Sequence, residues 1–225
     1  ELGLTSVIIV NRDFSTKKVS TIHIILIFLS TFLFIGMLIF SDFFAWLFDQ
    51  KKVSEILPWM SITILANGYG SVNSAVLVRE LKFKLRMKIS LISATIGSLF
   101  GVLISYLAEP LIGMVVLFVV TPVLSTIGLW IRAPYGFRMH FEPRLIVPDI
   151  PFAFNVALSS LFEQGTKAIL PFLLSGKFGI SDLGLYTRAD AIKNLSAQTL
   201  DKVTQRVSFP NLVRENMISL DRAMS

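Results

Sequence analysis

Between residues 56 and 108 the chain carries two long stretches without a charged side chain, 56–78 and 89–108, divided by a dense run of cations. That run reads Arg79-Glu80-Leu81-Lys82-Phe83-Lys84-Leu85-Arg86-Met87-Lys88, five cations against one anion. Its alternation of basic and apolar residues would suit an edge strand or a nucleic-acid contact in a soluble protein. The flanks argue against both. A basic knot between two segments long enough to cross a ~30 Å hydrocarbon layer has the pattern of a cytoplasmic loop between transmembrane helices. The expected fold class is therefore all-α, a polytopic membrane helix bundle.

Composition agrees. Of 225 residues, 53% are hydrophobic and only 16% charged, where a soluble domain carries about 25%. The net charge of +6 sits in loops, so no nucleic-acid partner is expected. There is no cysteine, which excludes a disulfide framework and a thiolate metal site. Residues 2–10 read as the end of an apolar helix already under way, and the chain is expected to be an internal piece of a longer protein.

Taken in order, residues 11–18 form a polar loop with Arg12, Lys17 and Lys18, and 19–41 is an uncharged span. Phe43, Phe44, Trp46 and Phe48 follow as an aromatic cluster suited to the far interface. His23 lies one turn inside the basic end and reads as a packed imidazole in preference to a proton carrier. Residues 49–55 form a turn of mixed charge. The span 56–78 is rich in polar groups, including Ser61, Thr63, Asn67, Ser71, Asn73 and Ser74. It is not expected to face lipid on all sides, because those groups need protein partners or water. Two readings stand for it: interhelical hydrogen bonding, or the lining of an aqueous path.

In 89–108, Gly97 and Gly101 permit close approach of another helix, within the chain or in a second copy. Glu109-Pro110 makes a minimal turn, and 111–131 spans back with Pro122 as a kink point. Arg132, Arg138, His140 and Arg144 mark the next loop, kept irregular by Pro134, Pro143 and Pro148. Eleven cations then fall on the side of the basic knot, against Lys51 and Lys52 opposite. That bias places the basic loops in the cytoplasm.

After Asp149 charge enters the apolar segments. In 152–174, Asn155, Ser159, Glu163 and Lys167 recur every four residues as one polar stripe, with Glu163 and Lys167 placed to pair. A turn is expected at 175–182. In 183–207, Asp190, Asn194, Gln198, Asp201 and Gln205 form a second stripe flanked by Lys193. A charge at the bilayer centre costs about 2.5–3.5 kcal/mol on insertion scales. Either both stripes turn toward a hydrated cavity, or 183–207 lies on the surface as an amphipathic helix. No phosphate loop, paired-His metal motif or nucleophile constellation is present in the sequence; transport, not catalysis, is expected, with no cofactor and no metal.

Several motifs resemble one family. Leu2-Gly3-Leu4-Thr5-Ser6 running into Asn11-Arg12-Asp13 is one, and Ala75-Val76-Leu77-Val78-Arg79-Glu80-Leu81-Lys82-Phe83-Lys84 is the most specific. Leu183-Gly184-Leu185-Tyr186 with Ala189, and Val207-Ser208-Phe209-Pro210, complete the set. Together they resemble the Wzx-type lipopolysaccharide and capsule exporters of the multidrug/oligosaccharidyl-lipid/polysaccharide superfamily. The resemblance implies about a dozen helices in two bundles with alternating access. Residues 1–149 would hold the end of helix 2 through helix 6 and the cytoplasmic loop after it. Residues 150–225 would hold helices 7 and 8 of the second bundle.

The resemblance further implies a bacterial inner-membrane flippase for polyprenyl-diphosphate-linked oligosaccharide. Its partners would be that lipid-linked substrate, anionic headgroups at the cytoplasmic loops, and other polysaccharide-assembly proteins. Lys167, Lys193 and Arg188 are the cations that could meet a diphosphate, Arg188 having the outer interface as its other placement. Asn155, Ser159, Glu163, Asp190, Asn194, Gln198, Asp201, Asn67 and Asn73 would line the passage. The sequence departs from the family where an acidic residue often precedes the Gly-Lys turn: here it has Ile169-Leu170-Pro171. A drug or cation antiporter of the same superfamily is the alternative reading, and a membrane-bound polymerase or transferase a third.

Overall fold

A computed structural model describes residues 3–10, 15–132, 140–178, 182 and 184–193. Its elements are α1 (Leu4–Val10), α2 (Thr16–Ile39), α3 (Ser41–Leu47), α4 (Lys51–Arg79), α5 (Phe83–Leu107), α6 (Pro110–Arg132) and α7 (Ile150–Phe178), with 3-10 turns at Pro143–Leu145 and Val147–Asp149. Residues 184–193 are also helical. The chain forms the expected all-α membrane bundle. It divides into two compact units, Glu1–Ser160 and Leu161–Ser225, with α7 starting in the first and continuing into the second.

Among the described residues four stretches are long and apolar enough to cross a membrane: Thr16–Ile39, Phe83–Leu107, Pro110–Arg132 and Pro143–Ile169. α4 has the length but not the apolarity. Its placement explains why. α4 packs against α1, α2, α3, α5 and α6, so its surroundings are protein on most sides. It contributes to both apolar clusters of the first unit. Val72, Ala75 and Val76 join Val7 and Ile8 of α1, Val19, Ile22 and Leu26 of α2, Ile146 between the two 3-10 turns, and Ala153 in α7. Leu77 joins Ile89 of α5 and Leu129 of α6. The other helices turn large apolar side chains outward, Phe28 and Phe32 from α2, Leu99 and Val102 from α5, and Met114 and Ile131 from α6, as a lipid-facing surface requires.

Glycines set the closest approaches. A Cβ on Gly68 would stand 2.2 Å from Ser30 Oγ of α2, and one on Gly70 2.6 Å from Thr126 Oγ1 of α6. Between α5 and α6, a Cβ on Gly97 would meet Thr121 Oγ1 at 2.1 Å, and one on Gly113 the Gly101 carbonyl at 2.5 Å. Gly97 and Gly101 of α5 therefore serve packing within the chain.

Several boundaries differ from expectation. α2 starts at Thr16, so Lys17 and Lys18 lie in its first turn instead of a loop, and it ends at Ile39, with the aromatic cluster on the separate short helix α3. The expected turn at 49–55 shrinks because α4 begins at Lys51. Asp49 takes φ 50°, its N–H donates to the Trp46 carbonyl and that of Gln50 to the Ala45 carbonyl. This double bond is a Schellman cap, which ends a helix within two residues. The same device ends α4: Leu81 has φ 57°, with Leu81 N–H on Val78 and Lys82 N–H on Leu77. The Arg-Glu-Leu-Lys motif is thus the tight turn that reverses the chain into α5. α7 runs through Pro171 to Phe178, so the first part of the turn expected at 175–182 is helical. Of the helix expected at 183–207, residues 194–207, including Asn194, Gln198 and Asp201, lie outside the described residues, as does Arg138.

Ion pairs fasten the basic end of the first unit. Lys17 Nζ lies 2.9 Å from Glu142 Oε1, with both side chains about half exposed. Lys18 pairs with Asp149, and both of those side chains are largely buried. Arg79 Nη1 donates to the Ile8 carbonyl at 2.6 Å. It thereby caps one of the final carbonyls of α1, where a cation also suits the helix dipole.

Candidate functional site

α4 places Ile64, Asn67, Ser71 and Ser74 on one face, at steps of three and four residues. That face forms one wall of a cavity of about 620 Å³. α2 contributes Leu26, Ser30 and Leu33, α1 contributes Thr5, and α5 contributes Arg86 and Ser90. All three hydroxyls of α6, Thr121, Ser125 and Thr126, complete it beside Pro122. Every described wall residue belongs to the first unit.

Helical rise gives the depth. At about 1.5 Å per residue, Ser74 lies about 7 Å from the basic end of α4 at Arg79, and Asn67 about 18 Å. Arg86 is in the first turn of α5, at the basic end itself. The cavity thus reaches from the basic end of the helices to beyond the middle of a ~30 Å hydrocarbon layer. Thr121 against Gly97 lies at its deep end, and beyond that point Gly101 and Gly113 bring α5 and α6 into backbone contact.

Some of the wall's polar groups are committed. Thr126 Oγ1 donates to the Ala66 carbonyl at 2.6 Å, Ser71 Oγ to Gly68 at 2.9 Å and Ser30 Oγ to Ile27 at 2.9 Å. These satisfy hydroxyls within or between helices and hold α6 to α4. Thr121 Oγ1 is buried without a partner among the described residues. Pro122 has no N–H, so the Phe118 carbonyl one turn earlier loses its helical donor. The deep end of the cavity thus holds a buried hydroxyl that has no partner among the described residues, one residue before the proline.

Among the described residues of the cavity wall one is ionised, Arg86. The ion pairs among the described residues join Lys17 to Glu142, Lys18 to Asp149, Lys82 to Glu80, Lys167 to Glu163 and Lys193 to Asp190, and Arg86 is in none of them. The five cations of the basic knot thus have different tasks. Arg79 caps α1, Lys82 pairs with Glu80 at 2.7 Å, Lys84 and Lys88 are exposed away from the cavity, and Arg86, exposed as well, lines the cavity's rim.

The site residues expected from sequence fall in several places. Asn67 is in the cavity wall. Asn73 is 1% exposed and neither amide atom has a partner among the described residues; by register it shares the face of Ala66, Gly70 and Leu77, which packs toward α6. Asn155, Ser159, Glu163 and Lys167 run along α7 as exposed residues, and Lys167 Nζ meets Glu163 Oε1 at 2.6 Å. Arg188 and Lys193 are exposed on the helical stretch 184–193, where Lys193 stands 3.8 Å from Asp190. His23 is packed: its Nε2 and Trp130 Nε1 both donate to the Tyr69 carbonyl, at 3.2 and 3.1 Å, with the two rings 5.4 Å apart. Sequence reasoning missed Arg86 as a cavity residue and the α6 hydroxyls. The signal for the latter was present, since Thr121, Ser125 and Thr126 share one face of an otherwise apolar helix.

Fold and cavity define a class, a multi-pass all-α membrane protein with a cavity of mixed polar and apolar lining among helices with apolar outer faces. Within that class the chain belongs to the polysaccharide biosynthesis protein family, whose model matches residues 1–217. It is similar to the succinoglycan biosynthesis transport protein ExoT of Rhizobium meliloti (strain 1021), with 23% identity over 208 residues. That match covers 92% of this chain and 42% of the relative, so the chain spans less than half of the relative's length. No solved structure matches. Both findings agree with the motif resemblance to Wzx-type polysaccharide exporters.

Proposed function

We propose that the protein containing this chain moves a lipid-linked polysaccharide precursor, a polyprenyl-diphosphate-linked oligosaccharide, across the bacterial inner membrane by alternating access. The observation that carries this reading is the cavity: hydroxyl, amide and guanidinium groups lining an open pocket among helices with apolar outer faces. Sugars are recognised by hydroxyl and amide hydrogen bonds, and a prenyl tail needs an apolar exterior. The family and the relative's name as a transport protein support the same reading, and favour transport over catalysis. In this reading residues 1–149 belong to the first bundle and 150–225 open the second. Lys167, Lys193 and Arg188 serve a cationic passage lined by the stripe residues of α7 and of 183–207.

The test uses the full-length parent in its host. Asn67→Leu with Ser71→Leu makes the α4 wall apolar without touching either core cluster, and Lys167→Ala with Lys193→Ala removes the second-unit cations. Each pair is expected to abolish surface polysaccharide and to leave the lipid-linked precursor in the cytoplasmic leaflet, with protein level unchanged. Normal surface polysaccharide in the first pair rejects the cavity as a cargo path; in the second it rejects the cationic passage. Efflux of a cationic dye by the parent would favour an antiporter, and extension of a radiolabelled glycolipid would favour a polymerase or transferase.

A further inference from the structure

We propose that Arg86 is a specificity-determining residue, an oxyanion-binding group at the cytoplasmic mouth of the first-unit cavity that admits cargo carrying a phosphoryl or carboxylate group. This deepens the transport reading and rests on it for the identity of the cargo. Binding of the anion itself can be measured without it.

The inference starts from where the local fold puts the side chain. The Schellman turn at Leu81 reverses the chain so tightly that α5 begins at Phe83. Arg86 is therefore held on a helix and not in a loose loop. On one side of α5, Leu85 and Ile89 pack against Leu77 and Leu129. That contact fixes the rotation of α5 and sends Arg86, with Ser90 one turn on, to the cavity. The neighbouring cations do not share this position, since Arg79 is spent on the Ile8 carbonyl and Lys82 on Glu80.

Chemistry follows from the lining. A guanidinium presents a planar fork of N–H donors matched to two oxygens of a phosphoryl or carboxylate group. No carboxylate is in the described cavity wall to compete for it. Deeper in, the groups are neutral: Asn67, Ser74, Ser90 and Ser125 make no hydrogen bond with another described residue, and Thr121 Oγ1 is buried unpaired. The cavity is thus graded, one cation at the mouth and neutral hydrogen-bonding groups below. An amphiphile with an anionic group and a chain of neutral sugars matches that order. Its anion stays at the wet end, where desolvation costs least, and its hydroxyls reach inward.

The experiment takes the purified full-length parent in detergent and titrates inorganic pyrophosphate, glucuronate and glucose by calorimetry. The variants are Arg86→Ala, Arg86→Lys and, as a control of equal charge change, Lys84→Ala. Loss of a charge-assisted bidentate contact is expected to weaken binding of the preferred anion about tenfold or more in Arg86→Ala. Arg86→Lys should recover part of it, Lys84→Ala should match the wild type, and glucose should be unaffected throughout. Pyrophosphate preference assigns the phosphoryl group as cargo feature, glucuronate preference an acidic sugar. Unchanged anion affinity in Arg86→Ala overturns the proposal, as does equal weakening in Lys84→Ala, which would mean diffuse surface charge. Should Arg86→Ala fail to yield monodisperse protein, Ser90→Leu, which fills the same mouth, must reproduce the loss with Lys84→Ala intact, or the proposal falls. In cells the outcomes separate from those of the transport reading. Export that requires the parent but tolerates Arg86→Ala rejects Arg86 alone. Arg86-dependent anion binding in a parent whose deletion leaves export intact rejects the transport reading alone.

Discussion

α4 and the α5–α6 pair show two opposite ways of being a membrane helix. α5 beyond its basic first turns and α6 are predominantly apolar, touch each other through Gly97, Gly101 and Gly113, and give much of their remaining surface to lipid. α4 falls short of span-level apolarity, yet it is the helix that packs against most of its neighbours. In water the polar face of a helix points outward; here the most polar helix is innermost. Lipid offers apolar side chains as good an environment as the protein interior does, so apolarity alone does not bring helices together. Close contact and polar groups do. The comparison teaches that in this chain polarity marks the inside, and that glycine marks where two apolar helices meet.

The largest expected effect breaks the pair. Gly97→Leu puts a Cβ 2.1 Å from Thr121 Oγ1 with backbone nitrogen close behind, so α5 and α6 must part. Overpacking costs about 1–3 kcal/mol and occasionally more. We expect a sharp loss of monodisperse, detergent-extractable protein and a lower melting temperature. Gly36→Ala, where an added Cβ meets nothing within 4 Å, is expected to be neutral or to gain up to about 1 kcal/mol from helix propensity. Equal yields for the two variants would remove the glycine contacts as the basis of the pair.

A smaller effect, of opposite sign, sharpens what α4's polarity is for. Asn73 is fully buried with its amide unpaired among the described residues, whereas Asn67, six residues earlier, opens on the cavity. An unsatisfied buried polar group costs about 1–3 kcal/mol, and an apolar replacement of similar shape removes that cost. Asn73→Leu is therefore expected to raise the melting temperature with transport retained, and Asn67→Leu to leave stability alone and reduce transport. Were Asn73→Leu to abolish transport while folding normally, α4 would carry function on both faces.

How much of this was legible beforehand follows the same division. The uncharged spans, the basic knot as a turn between two helices, the reluctance of 56–78 to face lipid and the Glu163–Lys167 pair are periodic or compositional, and a linear reading sees them. The role of Arg86 is not. Charge bias counts cations by side of the membrane and treats all five of the knot alike, because it does not know that the chain turns at Leu81 and is helical again by Phe83. Asn67 and Asn73 look equivalent for a similar reason. Six residues on a helix place them about 120° apart, and only the neighbours of α4 decide which direction is cavity and which is α6. Thr121, Ser125 and Thr126 lay between these cases: their shared face was readable, but not its target.

The smallest expected effect concerns the turn that sets the rotation of α5. Leu81 holds φ 57°, a conformation that costs a residue with a Cβ about 1–2 kcal/mol and that glycine adopts freely. Leu81 is also exposed, so little packing is lost by replacing it. Set against the greater backbone freedom glycine has when unfolded, Leu81→Gly should gain about 0.5–1 kcal/mol. A one- to few-degree rise in melting temperature would show it, with anion binding at Arg86 unchanged because both hydrogen bonds of the Schellman cap remain. If Leu81→Gly instead lowers stability, the left-handed turn is not what joins α4 to α5. The rotation that brings Arg86 to the cavity and Leu85 to the α4–α6 cluster would then need another cause.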